Sequence, residues 1–411
     1  MFDNRLFLLQ LAVIIGFSHL VAAGFRRFGQ PRVVGEMVAG IALGPTLFGL
    51  VAPDAYQWLF PPASLGFLNA LSQAGLAIFI FLVGVRVDVA EFRGQSGLTA
   101  VTSSVSVIVP FLMGLLTAQY LYPRHGAGSP LNFALFIGTA MSATAFPVLA
   151  RILMERNLLN TRLGSVAIAC AAVADFTAWI LLAIIVPLTR ADLNTRPLWQ
   201  MILYIAIYLG VALVLGRVLN SWSKRFDEKR LPLDSILVFV VLALISGAIA
   251  EQLGIHALVG AFIAGLVTPR RFRHQLVDKL EAVTLLILMP LFFALTGIRT
   301  KFLFNAGASV YFDFLLILVV AIASKWGSAM IGAHAKGMGW RDACQLGLMM
   351  NTRGLVELVV LNVGLDVGIL SPPLFSMMVC MALLTTFMAT PLMDLFSGKK
   401  LEVAAGAAGA A

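Results

Sequence analysis

The sequence predicts an all-α polytopic membrane protein built on an inverted repeat, and three observations predict it. Apolar runs of about 20 residues, each long enough to cross a bilayer as a helix, recur from one end of the chain to the other. Charged residues make up only 12% of the 411, against 60% hydrophobic, and the mean hydropathy is +0.94. A soluble domain carries about twice that charge to cover its surface. Two pairs of apolar segments also share residue patterns at one constant offset.

Thirteen hydrophobic segments are expected, at about 6–25, 33–51, 65–85, 98–121, 131–150, 163–188, 199–216, 233–250, 255–269, 281–298, 309–333, 342–364 and 370–395. They form one transmembrane domain over 1–398, with no stretch of soluble composition large enough for a second. The first segment lacks a basic leader beyond Arg5 and reads as a retained helix rather than a signal peptide. Residues 399–411 form a low-complexity tail, ending in LEVAAGAAGAA.

The net charge of +9 does not point to nucleic acid, because the basic residues sit in loops, where membrane topology puts them. Loops after odd-numbered segments, with the C-terminus, hold 21 of the 29 Lys and Arg. The N-terminus and the remaining loops hold six, and Lys325 and Arg353 lie inside segments. Basic loops stay in the cytoplasm, so the N-terminus is expected outside and the C-terminus inside. Cys170, Cys344 and Cys380 lie in apolar runs without metal-ligand spacing and read as packing residues.

The repeat is legible in four segments. Segment 2 reads Val34-Gly35-Glu36-Met37-Val38-Ala39-Gly40, and segment 9 reads Val259-Gly260-Ala261-Phe262-Ile263-Ala264-Gly265. Segment 3 ends in Phe81-Leu82-Val83-Gly84-Val85-Arg86, and segment 10 in Ala294-Leu295-Thr296-Gly297-Ile298-Arg299. The offset is seven segments. Seven is odd, so the copies cross the membrane in opposite directions. Repeat one spans about 6–188, a linker helix about 199–216, and repeat two about 233–395. Inverted repeats are the organisation of secondary transporters.

The same register pairs segment 5 with segment 12, and each contains a break. Segment 5 carries Ser142-Ala143-Thr144-Ala145-Phe146-Pro147, where proline removes a helix donor and clashes with the preceding turn. Segment 12 carries Asn351-Thr352-Arg353-Gly354. Unwound backbone at membrane depth is tolerated only against protein or a wet cavity. Paired interruptions of this kind point to a binding site.

Ionisable residues inside a membrane are functional candidates. Asp175 lies mid-segment 6, among alanines that let another helix come close. A carboxylate there can hold a proton or a metal cation by turns. Lys325 lies deep in segment 11, too far from the next basic loop to snorkel, and Asp175 is its natural partner. Arg353 and Glu357 are spaced as i,i+4 neighbours and suit either a structural pair or a direct role. His19 and His256 read as packing or hydrogen-bonding residues. Nothing matches a nucleotide-binding loop or a zinc-protease helix, so neither ATP-driven pumping nor enzymatic activity is expected.

Six motifs in order carry a family likeness: GQPRVVGEMVAGIALGP (Gly29–Pro45), FLVGVRVD (Phe81–Asp88), SATAFPVLARIL (Ser142–Leu153), AAVADFTAWILLA (Ala171–Ala183), PLFFALTGIRTKF (Pro290–Phe302) and NTRGLVELVVLNVG (Asn351–Gly364). Together they resemble the monovalent cation:proton antiporter superfamily, and within its second antiporter family the plant-type cation/H⁺ exchangers and their bacterial relatives. The resemblance implies about 13 transmembrane helices in a sodium/proton-antiporter-like fold with two crossed discontinuous helices. It also implies a homodimer in a bacterial inner membrane, elevator-like motion, no cofactor, and exchange of Na⁺ or K⁺ for protons. It places the ion and proton site on Asp175, also the metal ligand, with Thr144 and Ser142. Lys325 becomes the core charge partner, and Asn351, Thr352, Arg353 and Glu357 the crossing-helix polar residues.

One departure is informative. Many relatives carry Asp or Asn just before the essential aspartate, where this chain has Ala174. A single carboxylate leads to the expectation of electroneutral, one-for-one exchange. Two alternatives stay open: a potassium-efflux or channel-like system of the same superfamily, and a sodium-coupled organic-anion symporter. The first usually carries a nucleotide-binding regulatory domain, and none follows segment 13 in this sequence. The second needs a larger cavity and paired sodium sites.

Overall fold

The computed structural model describes residues 4–86, 97–156, 158, 161–193, 198–224, 233–253, 256–300 and 307–397, so the tail at 399–411 lies outside the described residues. Among them the regular structure is helical, with one isolated bridge between Gly126 and Leu370. In chain order the helices begin with α1 (Asn4–Arg27), α2 (Arg32–Leu43), α3 (Phe48–Val51), α4 (Pro53–Leu59), α5 (Pro62–Arg86) and α6 (Gly97–His125). There follow α7 (Pro130–Ser142), α8 (Phe146–Glu155), α9 (Arg162–Leu193), α10 (Leu198–Ser223), α11 (Leu233–Gln252) and α12 (Ala257–Leu266). The last are α13 (Arg270–Val283), α14 (Met289–Arg299), α15 (Ala308–His334), α16 (Trp340–Met350), α17 (Leu355–Asp366) and α18 (Pro372–Ser397).

Among the described residues eleven stretches are long and apolar enough to cross a membrane, and α7 and α12 are shorter apolar helices. The chain is a polytopic membrane protein. The expected segment 5 is divided into α7 and α8, which flank an extended Ala143. The expected segment 9 is the 10-residue α12, about 15 Å long at 1.5 Å per residue and so about half a hydrocarbon core. Pro269 follows it and cannot continue the ladder. Residues 270–280, expected as a loop, form the basic, amphipathic α13. It runs through a π turn at Thr284–Leu288 into α14. Pro290 has no N–H to offer the Leu286 carbonyl, and a π turn is one way a ladder absorbs that loss.

The described chain divides into two compact units. Unit 1 comprises Met1–Ser18, Ala39–Arg93 and Trp179–Ile298. Its helices meet at glycines. A Cβ on Gly297 would fall on the Gly40 backbone, and one on Gly40 would fall on the Phe293 carbonyl. In the same way a Cβ on Gly265 would strike the Phe81 carbonyl and Gly84, and one on Gly84 the Phe262 carbonyl. Close backbone approach of this kind is how membrane helices gain dispersion contact when lipid is as apolar as leucine. Ile14, Leu43, Phe60, Leu68, Leu291 and Ala294 form an apolar cluster in this unit.

Unit 2 comprises His19–Val38, Gly94–Ala178 and Arg299–Ala411. Its α6 and α7 are packed so that a Cβ on Gly114 would lie 2.7 Å from Gly138 Cα. Ala171 and Ala174 on α9 pack with Val148, Leu149, Met349 and Met350, so the alanines around Asp175 do admit close neighbours. The most apolar 18-residue stretch of Trp340–Asp366 is wholly buried. Its polar interruption therefore faces protein, the condition under which membrane-depth backbone can leave the helix.

Candidate functional site

Within unit 2 the two helix breaks meet. The Ala145 N–H donates to the Thr352 carbonyl (3.0 Å), and the Thr144 hydroxyl donates to the Met350 carbonyl (3.2 Å). Thr352 turns its own hydroxyl back to Met349 O (2.7 Å). A hydroxyl on α18 secures the second break, since Thr386 Oγ1 donates to Arg353 O (2.6 Å) and accepts from Arg353 N–H (2.8 Å). Gly354 is required by proximity, because a Cβ there would come within 2.9 Å of the Val148 side chain. Ser142, Thr144, Asn351, Thr352 and Arg353 are all buried.

A helix leaves its last carbonyls and first amides unpaired and carries partial negative charge at its C-terminus and positive charge at its N-terminus. The α7–α8 break exposes both kinds of end, and charged side chains cap both. At the C-terminus of α7, Arg353 donates to Ala140 O (Nη1, 3.1 Å) and Met141 O (Nη2, 2.9 Å). Lys325 Nζ donates to Ser142 O there, and also to Ser106 O on α6 (2.9 Å). At the start of α8, the Phe146 N–H donates to Asp175 Oδ2 (3.2 Å). Two cations thus hold the negative end and a carboxylate holds the positive end.

Arg353 Nη1 also pairs with Glu357 Oε1 at 3.1 Å, both side chains being buried. The i,i+4 spacing expected from the sequence is realised as an ion pair, with Glu357 in the first turn of α17. Lys325 and Asp175, expected to bond to each other, do not. The carbonyls of Ser106 and Ser142 take the ammonium, and the α8 amide takes one carboxylate oxygen. The pair still interact through space, since Asp175, Arg353 and Glu357 all lie within electrostatic range of Lys325. With all four ionised, the cluster sums to zero formal charge.

Several buried polar atoms of this cluster have no protein partner among the described residues: Asp175 Oδ1, Asn351 Oδ1 and Nδ2, Arg353 Nε and Glu357 Oε2. Leaving such groups unmet inside a protein is costly, so they mark where a ligand or water belongs. Among the described residues no three His, Cys, Asp or Glu side chains gather as a metal centre. A monovalent cation would instead meet one carboxylate oxygen with hydroxyl, amide and carbonyl oxygens. The Ser142 hydroxyl donates to Thr139 O (2.9 Å) and the Thr144 hydroxyl to Met350 O, so each retains lone pairs for a cation.

Two residues here escaped the sequence reading. Thr386 lies on α18 far from any motif, and Ser106 contributes only a carbonyl. The buried hydroxyls Thr99, Thr102, Ser103 and Ser106 on α6 repeat at helical spacing, and that signal was available. His256 caps α12, its Nδ1 accepting from the Leu258 N–H (3.3 Å). Cys170 makes a thiol contact to Thr99 O at 3.8 Å.

The sodium/hydrogen exchanger transmembrane family matches residues 13–395. The chain is 38% identical over 394 residues to the Na(+)/H(+) antiporter NhaS4 of Synechocystis sp., covering 94% of this chain and 96% of that protein. It is 36% identical to cation/H(+) antiporter 15 of Arabidopsis thaliana, with 96% of this chain and 48% of the relative covered. It is 34% identical to the K(+)/H(+) antiporter 1 of Saccharomyces cerevisiae, with 95% and 46% covered. The chain thus spans nearly all of the cyanobacterial relative and about half of the plant and yeast ones. In fold it is similar to the sodium proton antiporter MjNhaP1 of Methanocaldococcus jannaschii, with a TM-score of 0.67, 14% identity and 97% of each chain covered. The chain belongs to the transmembrane sodium/hydrogen exchanger family.

Proposed function

We propose that this chain exchanges a monovalent cation, Na⁺ or K⁺, for a proton by alternating access, with Asp175 as the group both ions share. The observation that carries the reading is the state of that carboxylate. It is buried where the two breaks lie, with Oδ2 held by the first amide of α8 and Oδ1 left unpartnered. In the proposed cycle Asp175 takes a cation from one side, helped by Thr144, Ser142 and the oxygen of Asn351, and releases it on the other. It then returns protonated. Lys325 stabilises the ionised, cation-free carboxylate, and Arg353 with Glu357 keeps the α7 end and the second break in place.

A cation or a proton on Asp175 each adds one positive charge to a cluster otherwise balanced at zero. That equality supports one-for-one, electroneutral exchange. The named relatives include both a Na(+)/H(+) and a K(+)/H(+) antiporter, so both cations belong in the test.

We further infer an inverted repeat of about thirteen segments, with α7–α8 and α16–α17 as counterpart crossed, discontinuous helices. The glycine contacts support it. Gly40 corresponds to Gly265 and Gly84 to Gly297 in the sequence register, and the contacts are reciprocal, Gly40 to Gly297 and Gly265 to Gly84. A pseudo-two-fold axis gives that exchange of partners. The basic-residue bias supports an N-terminus outside and a C-terminus in the cytoplasm of a bacterial inner membrane, and the family resemblance supports a homodimer.

The test is a pH gradient imposed on proteoliposomes holding the full chain, with Na⁺, K⁺, Li⁺ or Rb⁺ added in turn. At least one cation should dissipate the gradient, and Asp175→Asn should abolish the effect while the purified protein keeps its elution profile. Cation-dependent proton flux surviving in Asp175→Asn would refute the assignment.

A further inference from the structure

Between α6 and α15 runs a seam of hydroxyls that the proposed cycle leaves unused. From α6 come Thr99, Thr102, Ser103 and Ser106, on one face at i, i+3, i+4 and i+7; from α15 come Ser324 and Ser328, and all six are buried. The helices touch along this line: a Cβ on Gly332 of α15 would lie 3.4 Å from Thr102 Cα. The seam ends at Lys325, whose Nζ donates to Ser106 O at 2.9 Å.

Small hydroxyl residues between membrane helices commonly serve packing alone, with each hydroxyl bonded back to its own helix. Four of these six fit that description. Ser103 donates to Ala100 O (3.1 Å), Ser106 to Ser103 O (3.0 Å), Ser324 to Ala321 O (3.5 Å) and Ser328 to Lys325 O (3.3 Å). Thr102 does not fit. Its side chain is 0% exposed, and Oγ1 has no partner among the described residues. A threonine one helical turn away from Ser106 thus has a free hydroxyl. An ammonium has three N–H groups, and the Lys325 ammonium spends two on Ser142 O and Ser106 O. Thr102 Oγ1 is thus an unmet buried polar group on the seam that ends at Lys325, and a buried water bonds to groups of that kind.

The seam offers no carboxylate. α6 has no charged residue before Arg124, and the acidic residue of α15 is Asp313, bonded to Arg124 (2.7 Å) and His125 (3.0 Å) at the far end of α6. A dehydrated cation has nothing there to balance its charge. A proton passing along hydroxyls and water needs no such balance.

We propose that the α6–α15 seam is the proton route to the exchange site, with Thr102 as its relay residue. This rests on the exchange reading above. In passage toward the cytoplasmic end of α6, Lys325 Nζ gives a proton to a water held beside Thr102. That water gives one to Thr102 Oγ1, and Thr102 releases its original proton to the next water toward the start of α6. Each N–H or O–H that breaks is matched by one that forms. Protonated Asp175, which is not bonded to Lys325, gives its proton to a water on its Oδ1, and that water gives one to Lys325, which ends the passage charged, so one proton leaves per cation bound. Passage from the cytoplasm to the site reverses each step.

The test compares wild type, Thr102→Val and Thr102→Ser, each as the full chain in proteoliposomes, under an imposed pH gradient with whichever cation the wild type transports. Valine matches threonine in shape and removes the hydroxyl. Turnover in Thr102→Val should fall by about tenfold or more, given what positioned proton-transfer groups contribute. Its apparent cation KM should stay within about twofold of wild type, and the slowing in D₂O should become larger. Thr102→Ser should keep most of the turnover. Melting temperature in detergent should not fall in Thr102→Val, since no bonded hydroxyl is lost. Wild-type turnover and isotope effect in Thr102→Val would overturn the proposal. Parallel loss of turnover and melting temperature in both variants would overturn it too, as the mark of a packing residue. An Asp175→Asn protein that still exchanges would sink the exchange reading itself, whatever Thr102 does.

Discussion

At the scale of the residue, the α7–α8 break is stabilised by matching side-chain charge to helix-end charge. Lys325 and Arg353 cap carbonyls and Asp175 caps an amide, which is why each can stay buried. Arg353 is held most tightly, by Ala140 O, Met141 O and Glu357. Removing one partner of a buried pair leaves the other charge uncompensated, a loss of about 3–5 kcal/mol. Arg353→Met should therefore lower the melting temperature of the detergent-solubilised protein sharply. Adding Glu357→Leu should restore part of that loss, because no buried carboxylate is then stranded. A double variant that melts no higher than Arg353→Met would show that Glu357 is balanced by something else. The i,i+4 spacing made this pair readable in advance. The Lys325–Asp175 bond was expected from charge alone and did not form, because helix-end carbonyls and amides compete for charged groups and are invisible to a list of side chains.

At the scale of the element, glycine positions decide which helices can touch. Gly297 lies against the Gly40 backbone, whereas a Cβ on Gly66 of α5 would meet nothing within 4 Å. Gly297→Val should force the α2 and α14 backbones apart, at a cost of about 1–3 kcal/mol or more, and reduce the monodisperse fraction on size exclusion. Gly66→Ala should be neutral, or stabilising by up to about 1 kcal/mol through helix propensity. Equal behaviour of the two variants would show that the crossing is not tight. The sequence marked Gly40, Gly84, Gly265 and Gly297 as matching positions. The lengths of α7 and α12 and the helicity of 270–280 were not legible, because a hydropathy pattern shows where apolar residues lie and not where the ladder of hydrogen bonds stops.

At the scale of the whole molecule, the charges at the site govern the coupling of transport to membrane voltage. In the proposed cycle a cluster summing to zero gains one charge with either ion, so the loaded forms would cross with equal charge. A diffusion potential set in proteoliposomes by a gradient of a permeant anion such as thiocyanate, with Na⁺, K⁺ and pH equal on both sides, should then drive no net Na⁺-for-H⁺ exchange. Voltage-driven proton movement dependent on Na⁺ would exclude one-for-one stoichiometry. Topology has its own check. A reporter active only in the cytoplasm should be active when fused after residue 397 and silent when fused before residue 4, if the orientation proposed from the 21-to-6 division of basic loop residues holds.

By itself the sequence determined the class of the molecule. Its composition demands a membrane, its odd-numbered offset is the ground for the proposed inverted repeat, and its interruptions at 142–147 and 351–354 mark where polar backbone had to be met by protein. These are properties of segments and survive without knowledge of contacts. Only the tertiary structure decided what meets those interruptions. It put Lys325 on the carbonyls of Ser106 and Ser142 and, among the described residues, left one oxygen of Asp175 and the buried hydroxyl of Thr102 without a partner. The reason is physical: hydrogen-bond partners at a helix break come from helices remote in sequence, and competition among them is settled by distance and direction, which a linear order of residues does not contain.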